Sequence, residues 1–213
     1  MTTRPNPARR ACHLQPDILV YTIEDRLYVN LTDRCTLACH FCPKHNDSKE
    51  VHDYNLTLSQ RPDQQLIIDQ IGDPTRYQEV VFCGFGEPTL RLKALIAVAT
   101  EVKTKGGKTR LNTDGLANLF HKKDVVPLLA SCIDAMSISL NAQNEEVYKQ
   151  HCAPSLKNSH FAVLAFLELA AHAIPDVTAT AIDGLEGVDI LACKKLAEDR
   201  GAKFKARTLD VVG

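Results

Sequence analysis

The sequence contains no tryptophan, and aromatic residues make up 6% of its 213 positions. It therefore has few of the aromatic platforms on which nucleic-acid-binding proteins stack bases. Neither sign of charge is in excess, because 25 Lys and Arg face 26 Asp and Glu, for a net charge of -1. This balance gives no broad electrostatic footprint for nucleic acid or for an anionic membrane. We expect neither as the main partner.

Long apolar runs are also absent. No segment approaches the roughly 20 apolar residues that cross a bilayer, and the longest candidate, 161–174, contains Glu168 and His172. The first 17 residues carry arginines but lack the apolar core of a secretory signal. We expect a cytosolic protein without a membrane span.

No Ser/Gly linker, low-complexity tract or repeat divides the chain, so we expect one domain over 1–213, with an N-terminal extension (1–26) and a core of about 27–208. Strands are predicted at 27–31, 79–83, 109–112, 135–140, 177–182 and 203–208. Helices are predicted at 59–71, 92–105, 116–131 with a break before Pro127, 144–150, 159–173 and 188–200. The helix at 159–173 is nearly all apolar, which predicts that it is covered on most sides.

Six strands alternating with helices predict right-handed crossovers and a parallel sheet. A closed eight-unit barrel usually needs about 250 residues, so this pattern favours an open barrel or a doubly wound sheet. In both folds, ligands bind beyond the carboxyl ends of the strands. The unusual segments all follow strands: the cysteine-rich segment 35–42, the turn 84–88, the loop 112–115 and Asn141.

Three of the eight cysteines, Cys35, Cys39 and Cys42, lie within eight residues in a C-x3-C-x2-C pattern. A reducing cytosol disfavours a disulfide framework, whereas three soft thiolates at this spacing can surround one metal centre. The other five cysteines are scattered: Cys12, Cys83, Cys132, Cys152 and Cys193. Since Cys132, Cys152 and Cys193 have no partners nearby in sequence, we expect no second metal centre.

Two metals suit the cysteine triplet. Structural zinc takes four closed ligands, and His40, His45 or Cys83 could supply the fourth. Zinc sites typically combine two ligand pairs, however, and no second C-x2-C or H-x3-H pair is present. Three thiolates can instead hold a four-iron cluster whose remaining iron is open to a substrate.

The triplet, with Phe41 before its last cysteine and directly after a predicted strand, resembles the radical S-adenosylmethionine (radical SAM) superfamily. About fifty residues later, the GFGEP segment 84–88 ends the second strand, where that superfamily carries its GGEP motif. The resemblance extends from about Tyr28 to Thr208 and implies a partial (βα)6 barrel of the TIM type. The NLTDRC and GFGEPT segments further resemble the small group named for its association with TatD-type nucleases.

The resemblance implies that Cys35, Cys39 and Cys42 ligate a [4Fe–4S] cluster whose open iron chelates S-adenosylmethionine. Phe41 would pack near the adenine. Gly86 and Glu87 match the part of GGEP that contacts the methionine amino group, with Gly84 as the other glycine. Phe85 stands where the first glycine is usual. Simple turn chemistry is the alternative explanation for both glycines.

Polar groups at later strand ends are candidates for binding the carboxylate and ribose of the cofactor: Asn112, Thr113, Ser137, Ser139 and Asn141. Ser137 and Ser139 lie two residues apart and therefore on one face of a strand. If that face lines the interior, these hydroxyls meet a ligand; otherwise they are small fillers bonded to backbone. The stretch beginning at Ile182 corresponds to one that contacts adenine in the superfamily.

The activity that the resemblance implies is reductive cleavage of S-adenosylmethionine to methionine and a 5′-deoxyadenosyl radical, which abstracts hydrogen from a substrate. The electron donor would be a flavodoxin or ferredoxin, and the substrate an unidentified small molecule or protein segment. The alternatives are an activating enzyme for a glycyl-radical partner and a non-catalytic, zinc-stabilised binding module. Cys83 is interpreted as an inert buried thiol rather than a hydrogen donor.

Overall fold

A computed structural model describes residues 17–45 and 50–209. Its strands are β1 Val20–Ile23, β2 Arg26–Val29, β3 Glu50–Val51, β4 Tyr54–Asn55, β5 Val80–Phe82, β6 Thr109–Thr113, β7 Ala135–Ser139, β8 Asp176–Asp183 and β9 Lys203–Thr208. Its α-helices are α1 Gln64–Ile71, α2 Leu92–Thr104, α3 Ala117–His121, α4 Val126–Ala130, α5 Glu145–Cys152, α6 Ser159–Ala173 and α7 Ile190–Glu198.

Seven strands form the main sheet in the order β1-β2-β5-β6-β7-β8-β9, and β3 pairs with β4 in a separate hairpin. From β2 to β9, every neighbouring pair is parallel. Within the described residues, β9 does not pair with β1, so the barrel stays open between these two strands. The predicted α/β fold with six parallel strands and a partial barrel is confirmed.

The strand β1 was not predicted. It pairs antiparallel with β2, from Val20 opposite Val29 to Ile23 opposite Arg26, within the segment 1–26 that was expected to be an extension. The connecting turn places Glu24 at a φ of 54°. Two-residue hairpin turns favour glycine where φ is positive, and the Glu-Asp pair here gives no such signal. The first 16 residues lie outside the described part.

Local capping explains where several helices begin. The Asp63 carboxylate accepts hydrogen bonds from the amides of Gln65 and Leu66, so α1 starts after this residue and not at 59. The Asn144 side chain accepts from the amide of Val147, which confirms the predicted cap of α5. The predicted break before Pro127 is also present, with α3 and α4 as separate short helices.

The prediction that the helix at 159–173 is covered on most sides is wrong. One face of α6 buries Val163, Phe166 and Leu167 against its neighbours α3, α4, α5 and β8. The opposite face leaves Phe161 75% and Leu169 44% exposed. The helix belongs to the outer layer of the barrel, and no further layer covers it in the described part of the chain. No helix there is both long and apolar enough to cross a membrane.

A network of ion pairs crosses the sheet at the amino ends of its parallel strands. The Glu79 carboxylate lies 2.9 Å from the Nε atoms of both Arg26 and Arg110. Asp176 follows, 3.6 Å from Arg110 Nη2 and 2.9 Å from Lys203 Nζ. These pairs connect five strands or strand starts at one end, which leaves the carboxyl ends for the cysteine loop.

Candidate active site

The cysteine loop follows β2 and lies over the carboxyl ends of the parallel strands. Cys39 and Cys42 border a cavity of about 510 Å³ inside the open barrel, and the Cys42 amide donates to the Cys39 carbonyl at 3.1 Å. Cys35 borders a different hollow, of about 590 Å³, on the outer side of the loop. The loop therefore separates two cavities: Cys39 and Cys42 border the inner cavity, and Cys35 borders the outer hollow.

A side-chain hydrogen bond with Cys152 and burial raise the pKa of Cys39, and the charges of Cys35 and Cys42 make smaller contributions in the same direction. Among the described residues, no group of three or more His, Cys, Asp or Glu side chains is gathered closely enough to hold a single metal ion. Of the zinc ligands considered from the sequence, the His45 side chain lies outside the described part of the structure, and so does Cys12.

The electrostatics of the loop suit a cationic centre. Desolvation of the thiol by the surrounding protein raises the pKa of Cys35 to about 12, and the charges of Asp114 and Glu87 contribute to this increase. Burial also raises the pKa of Cys42. Thiols in this environment are protonated unless a metal supplies compensating positive charge, because only the thiolate is a ligand. Three such thiols near two buried carboxyls fit a cluster of iron ions.

Glu87 is buried, and its carboxylate serves as a hub for its neighbours. It accepts hydrogen bonds from the amide of Thr89 at 2.9 Å, the hydroxyl of Thr113 at 2.9 Å and the amide of Asp114 at 2.7 Å. These contacts connect the turn after β5 to the end of β6. Glu87 also borders the inner cavity.

Burial, together with the charge of Asp114, raises the pKa of Glu87 from 4.5 to about 8. The folded state thus binds this proton more tightly than the unfolded chain, so the free energy of unfolding of cluster-free protein should fall as pH rises from about 4.5 to about 8. We expect Glu87→Gln, which cannot ionise, to flatten this dependence. Urea unfolding at several pH values measures it. An unchanged slope in the variant would contradict the assignment.

Gly84 and Gly86 have ordinary negative or extended φ angles, so turn chemistry does not explain them. They allow close approach instead. A Cβ on Gly86 would lie 2.3 Å from the Arg34 carbonyl oxygen, and one on Gly84 would lie 2.3 Å from Asn30 Oδ1. Phe85, in the usual place of a glycine, is buried in a small cluster with Tyr21 and Leu56. This departure from GGEP therefore has a packing role.

Asp114 was not among the residues singled out from the sequence. The Thr36 hydroxyl donates to its Oδ2 atom, which lies 3.9 Å from Cys35 Sγ, and the amide of Leu116 donates to Oδ1 at 2.9 Å. Asp114 thus connects the cysteine loop to the end of β6. Its only sequence signal is its place directly after a predicted strand, where aspartate is also common for turn formation.

The structure gathers most of the other candidates around the inner cavity: Phe41, Gly84, Gly86, Asn112, Thr113, Ser137 and Ser139. Both serines therefore lie on the face of β7 that borders the cavity, and their contact with a ligand stays a prediction. Asn112 contributes a buried Oδ1 atom that has no hydrogen-bond partner among the described residues. Other polar residues border the same cavity without having been singled out, among them Tyr28, Thr180, Lys205 and Arg207.

Two candidates do not border this cavity. Asn141 is buried, has a left-handed φ of 62°, and directs Nδ2 to within 3.4 Å of Cys152 Sγ. Ile182 is 1% exposed within the core. Neither is placed to contact a ligand in the described cavity as it stands, and their roles stay predictions.

Cys152, at the end of α5, contacts the cysteine loop through its backbone. Its carbonyl oxygen accepts from the amide of Ala38 at 3.1 Å and lies 3.9 Å from Cys39 Sγ. The end of α5 therefore supports the cysteine loop. Cys83 borders the inner cavity, where burial raises its pKa.

Residues 29–199 match the family model of the Radical SAM superfamily. This chain belongs to the radical SAM superfamily. Members of the superfamily bind a [4Fe–4S] cluster and S-adenosylmethionine, so these are the cofactors of this radical SAM protein. No curated protein matches its sequence.

Solved structures of SuiB from Streptococcus suis share the fold of this radical SAM protein. SuiB bound to the precursor peptide SuiA has a TM-score of 0.69 at 14% identity, over 90% of this chain and 40% of SuiB. SuiB bound to S-adenosylmethionine has a TM-score of 0.63 at 15% identity, over 87% of this chain and 41% of SuiB. The chain thus spans about two fifths of the length of SuiB.

Proposed function

We propose that this protein binds a [4Fe–4S] cluster through Cys35, Cys39 and Cys42 and uses it to generate a 5′-deoxyadenosyl radical that abstracts hydrogen from a substrate. The observation that carries the proposal is the cysteine loop, which in a chain of this family borders a cavity at the carboxyl ends of the parallel strands. When bound, the cluster supplies the electron that cleaves S-adenosylmethionine.

The residues of the cavity suggest how the chain orients the cofactor. Phe41 offers an aromatic face for the adenine. The buried, unpartnered Oδ1 atom of Asn112 can accept a hydrogen bond from the ammonium group or a ribose hydroxyl. Ser139 adds a hydroxyl at the cavity, and Thr113 holds the Glu87 carboxyl beside it. Gly84 and Gly86 border the cavity, where their backbone can contact the cofactor.

The opening of the barrel between β1 and β9 gives a substrate access to the inner cavity. SuiB has been captured with a precursor peptide, which supports an exposed protein segment as substrate here; a small molecule fits the same opening. We propose that the enzyme works in the cytosol and receives its electron from a flavodoxin or ferredoxin. The sequences of its two motifs further support the group named for its association with TatD-type nucleases.

Anaerobic reconstitution with iron and sulfide, followed by dithionite and S-adenosylmethionine, tests the proposal. We expect a brown protein with about four irons per chain and formation of 5′-deoxyadenosine. A colourless protein with one zinc per chain and no 5′-deoxyadenosine would instead support the zinc-stabilised binding module. Co-purification with a large partner that acquires a backbone radical would identify a glycyl-radical activating enzyme.

A further inference from the structure

The outer hollow is the part of the molecule that the proposed chemistry does not use. It is separated from the inner cavity by the cysteine loop and has a similar volume, about 590 Å³. Of the three loop cysteines, only Cys35 borders it. Cys35 is exposed to solvent, whereas Cys39 and Cys42 are half-buried. A cluster held by the loop would therefore be approached from the outside at Cys35, while its cofactor and substrate occupy the other side.

Arginine dominates the charge of this hollow. Arg34, Arg61 and Arg91 line it, together with one acidic residue, Asp33. The Lys44 ammonium group adds a positive charge beside Asp33, because it donates to the Asp33 carbonyl oxygen. The hollow thus presents more positive than negative side chains, although the whole chain carries a net charge of -1.

The arginines differ in how firmly they are held. Arg91 donates from Nη1 to the Leu31 carbonyl at 3.0 Å, and no described residue pairs with its buried Nε. The side chains of Arg34 and Arg61 are exposed and make no ion pair in the described part of the chain. Both can therefore pair with carboxylates of another molecule without first breaking an internal contact.

Nearby acidic groups are engaged with the backbone. The Asp63 carboxylate accepts from two amides at the start of α1, and the Asp17 carboxylate accepts from the amides of Ser59 and Gln60. These hydrogen bonds hold both carboxylates at the base of the 59–63 segment. Neither carboxylate forms an ion pair with Arg34 or Arg61 in the described residues.

We propose that this outer hollow is the docking surface for an acidic electron-transfer protein. The proposal rests on the proposed function. One electron leaves the reduced donor and enters the cluster on the Cys35 side, and no bond forms or breaks in this step. Electron-transfer complexes are small and transient, and their encounter rate depends on complementary charge. Three arginines beside the exposed ligand supply the positive charge that an acidic donor needs, and the donor does not compete with the substrate for the inner cavity.

The test compares two double variants that change the net charge equally. Arg34→Glu with Arg61→Glu reverses the charge of two side chains that line the outer hollow; this double variant is called the reversed hollow. Arg76→Glu with Lys108→Glu, two exposed residues at the amino ends of the strands, is the matched control. The probe is a reduced flavodoxin chosen for an acidic surface around its flavin. Binding is followed by titration of flavin fluorescence, and cluster reduction by stopped-flow bleaching at low and high salt.

We expect the reversed hollow to weaken flavodoxin binding at least about tenfold at low salt and to remove most of the salt dependence of the reduction rate. The control should stay within about twofold of the unmodified protein. Reduction by dithionite, which needs no docking surface, should be the same in all three proteins. Equal effects of the two double variants, or no effect of either, would overturn the proposal.

Iron content and the absorption spectrum show whether the variants hold their cluster, and Arg34→Gln with Arg61→Gln gives a milder version of the change. A loss of dithionite reduction in the reversed hollow would show an altered cluster rather than lost docking, and would also overturn the proposal. If the unmodified protein makes no 5′-deoxyadenosine with dithionite, the proposed function fails instead. The two failures are therefore distinguishable.

Discussion

Cys39→Ala should lose its iron–sulfur cluster and reduce 5′-deoxyadenosine formation to below about 1% of the unmodified protein, while the barrel remains folded. Two remaining thiolates cannot hold the cluster with one iron open, and metal binding depends on every deprotonated ligand. The fold should survive because Cys39 lies in a loop, outside the sheet and its main helices. Iron content, product analysis and circular dichroism measure the three parts of this expectation.

Two other cysteines provide controls for this variant. Cys193, buried in α7, does not border the inner cavity, so Cys193→Ala should keep both iron and activity. Cys152→Ala removes the thiol nearest to Cys39 outside the loop and should also keep about four irons. Full turnover by Cys39→Ala would contradict the ligand assignment. Loss of iron from Cys152→Ala would show a fourth thiolate and a closed cluster.

The long periodic elements could be predicted from the sequence because their local and tertiary preferences agree. The helix at 159–173 and the strand at 203–208 have the same bounds in the structure as in the sequence pattern. Asn144 is a cap in both. The strand β1 was missed because four residues beside an unusual turn carry little local signal. Its pairing with β2 stabilises it, and this contact does not follow from its own residues.

The candidate site was predictable where its chemistry is local. The cysteine spacing and the GFGEP segment are continuous in sequence, so both were found. The contact between Asp114 and Thr36, in contrast, joins residues that are 78 positions apart, and no local pattern reports it. Lys205 lines the cavity only because β9 is the last strand of an open barrel, which depends on the strand order. A single sequence does not reveal which face of a strand points inward.

Gly86→Ala should destabilise the cluster-free protein by about 3 kcal/mol, near the upper end for overpacking, and should lower iron loading. The added Cβ would collide with the backbone oxygens of Arg34 at 2.3 Å and Thr32 at 2.5 Å. Relief requires the two loops to separate, which strains the 2.8 Å hydrogen bond from the Glu87 amide to the Arg34 carbonyl. Because Arg34 precedes Cys35, this movement also displaces a cluster ligand. Urea unfolding and iron analysis measure both effects.

Gly84→Ala is the matched control, because its added Cβ meets a side-chain atom, Asn30 Oδ1, at the same 2.3 Å. Truncation by Asn30→Ala removes that atom at the cost of two hydrogen bonds from Nδ2, so the two changes should be less than additive when combined. Gly86→Ala should gain nothing from Thr32→Ala, because its collision is with backbone. Equal stabilities of Gly86→Ala and the unmodified protein would show that the loops are free to separate, and the close approach at Gly86 would then not position the cysteine loop.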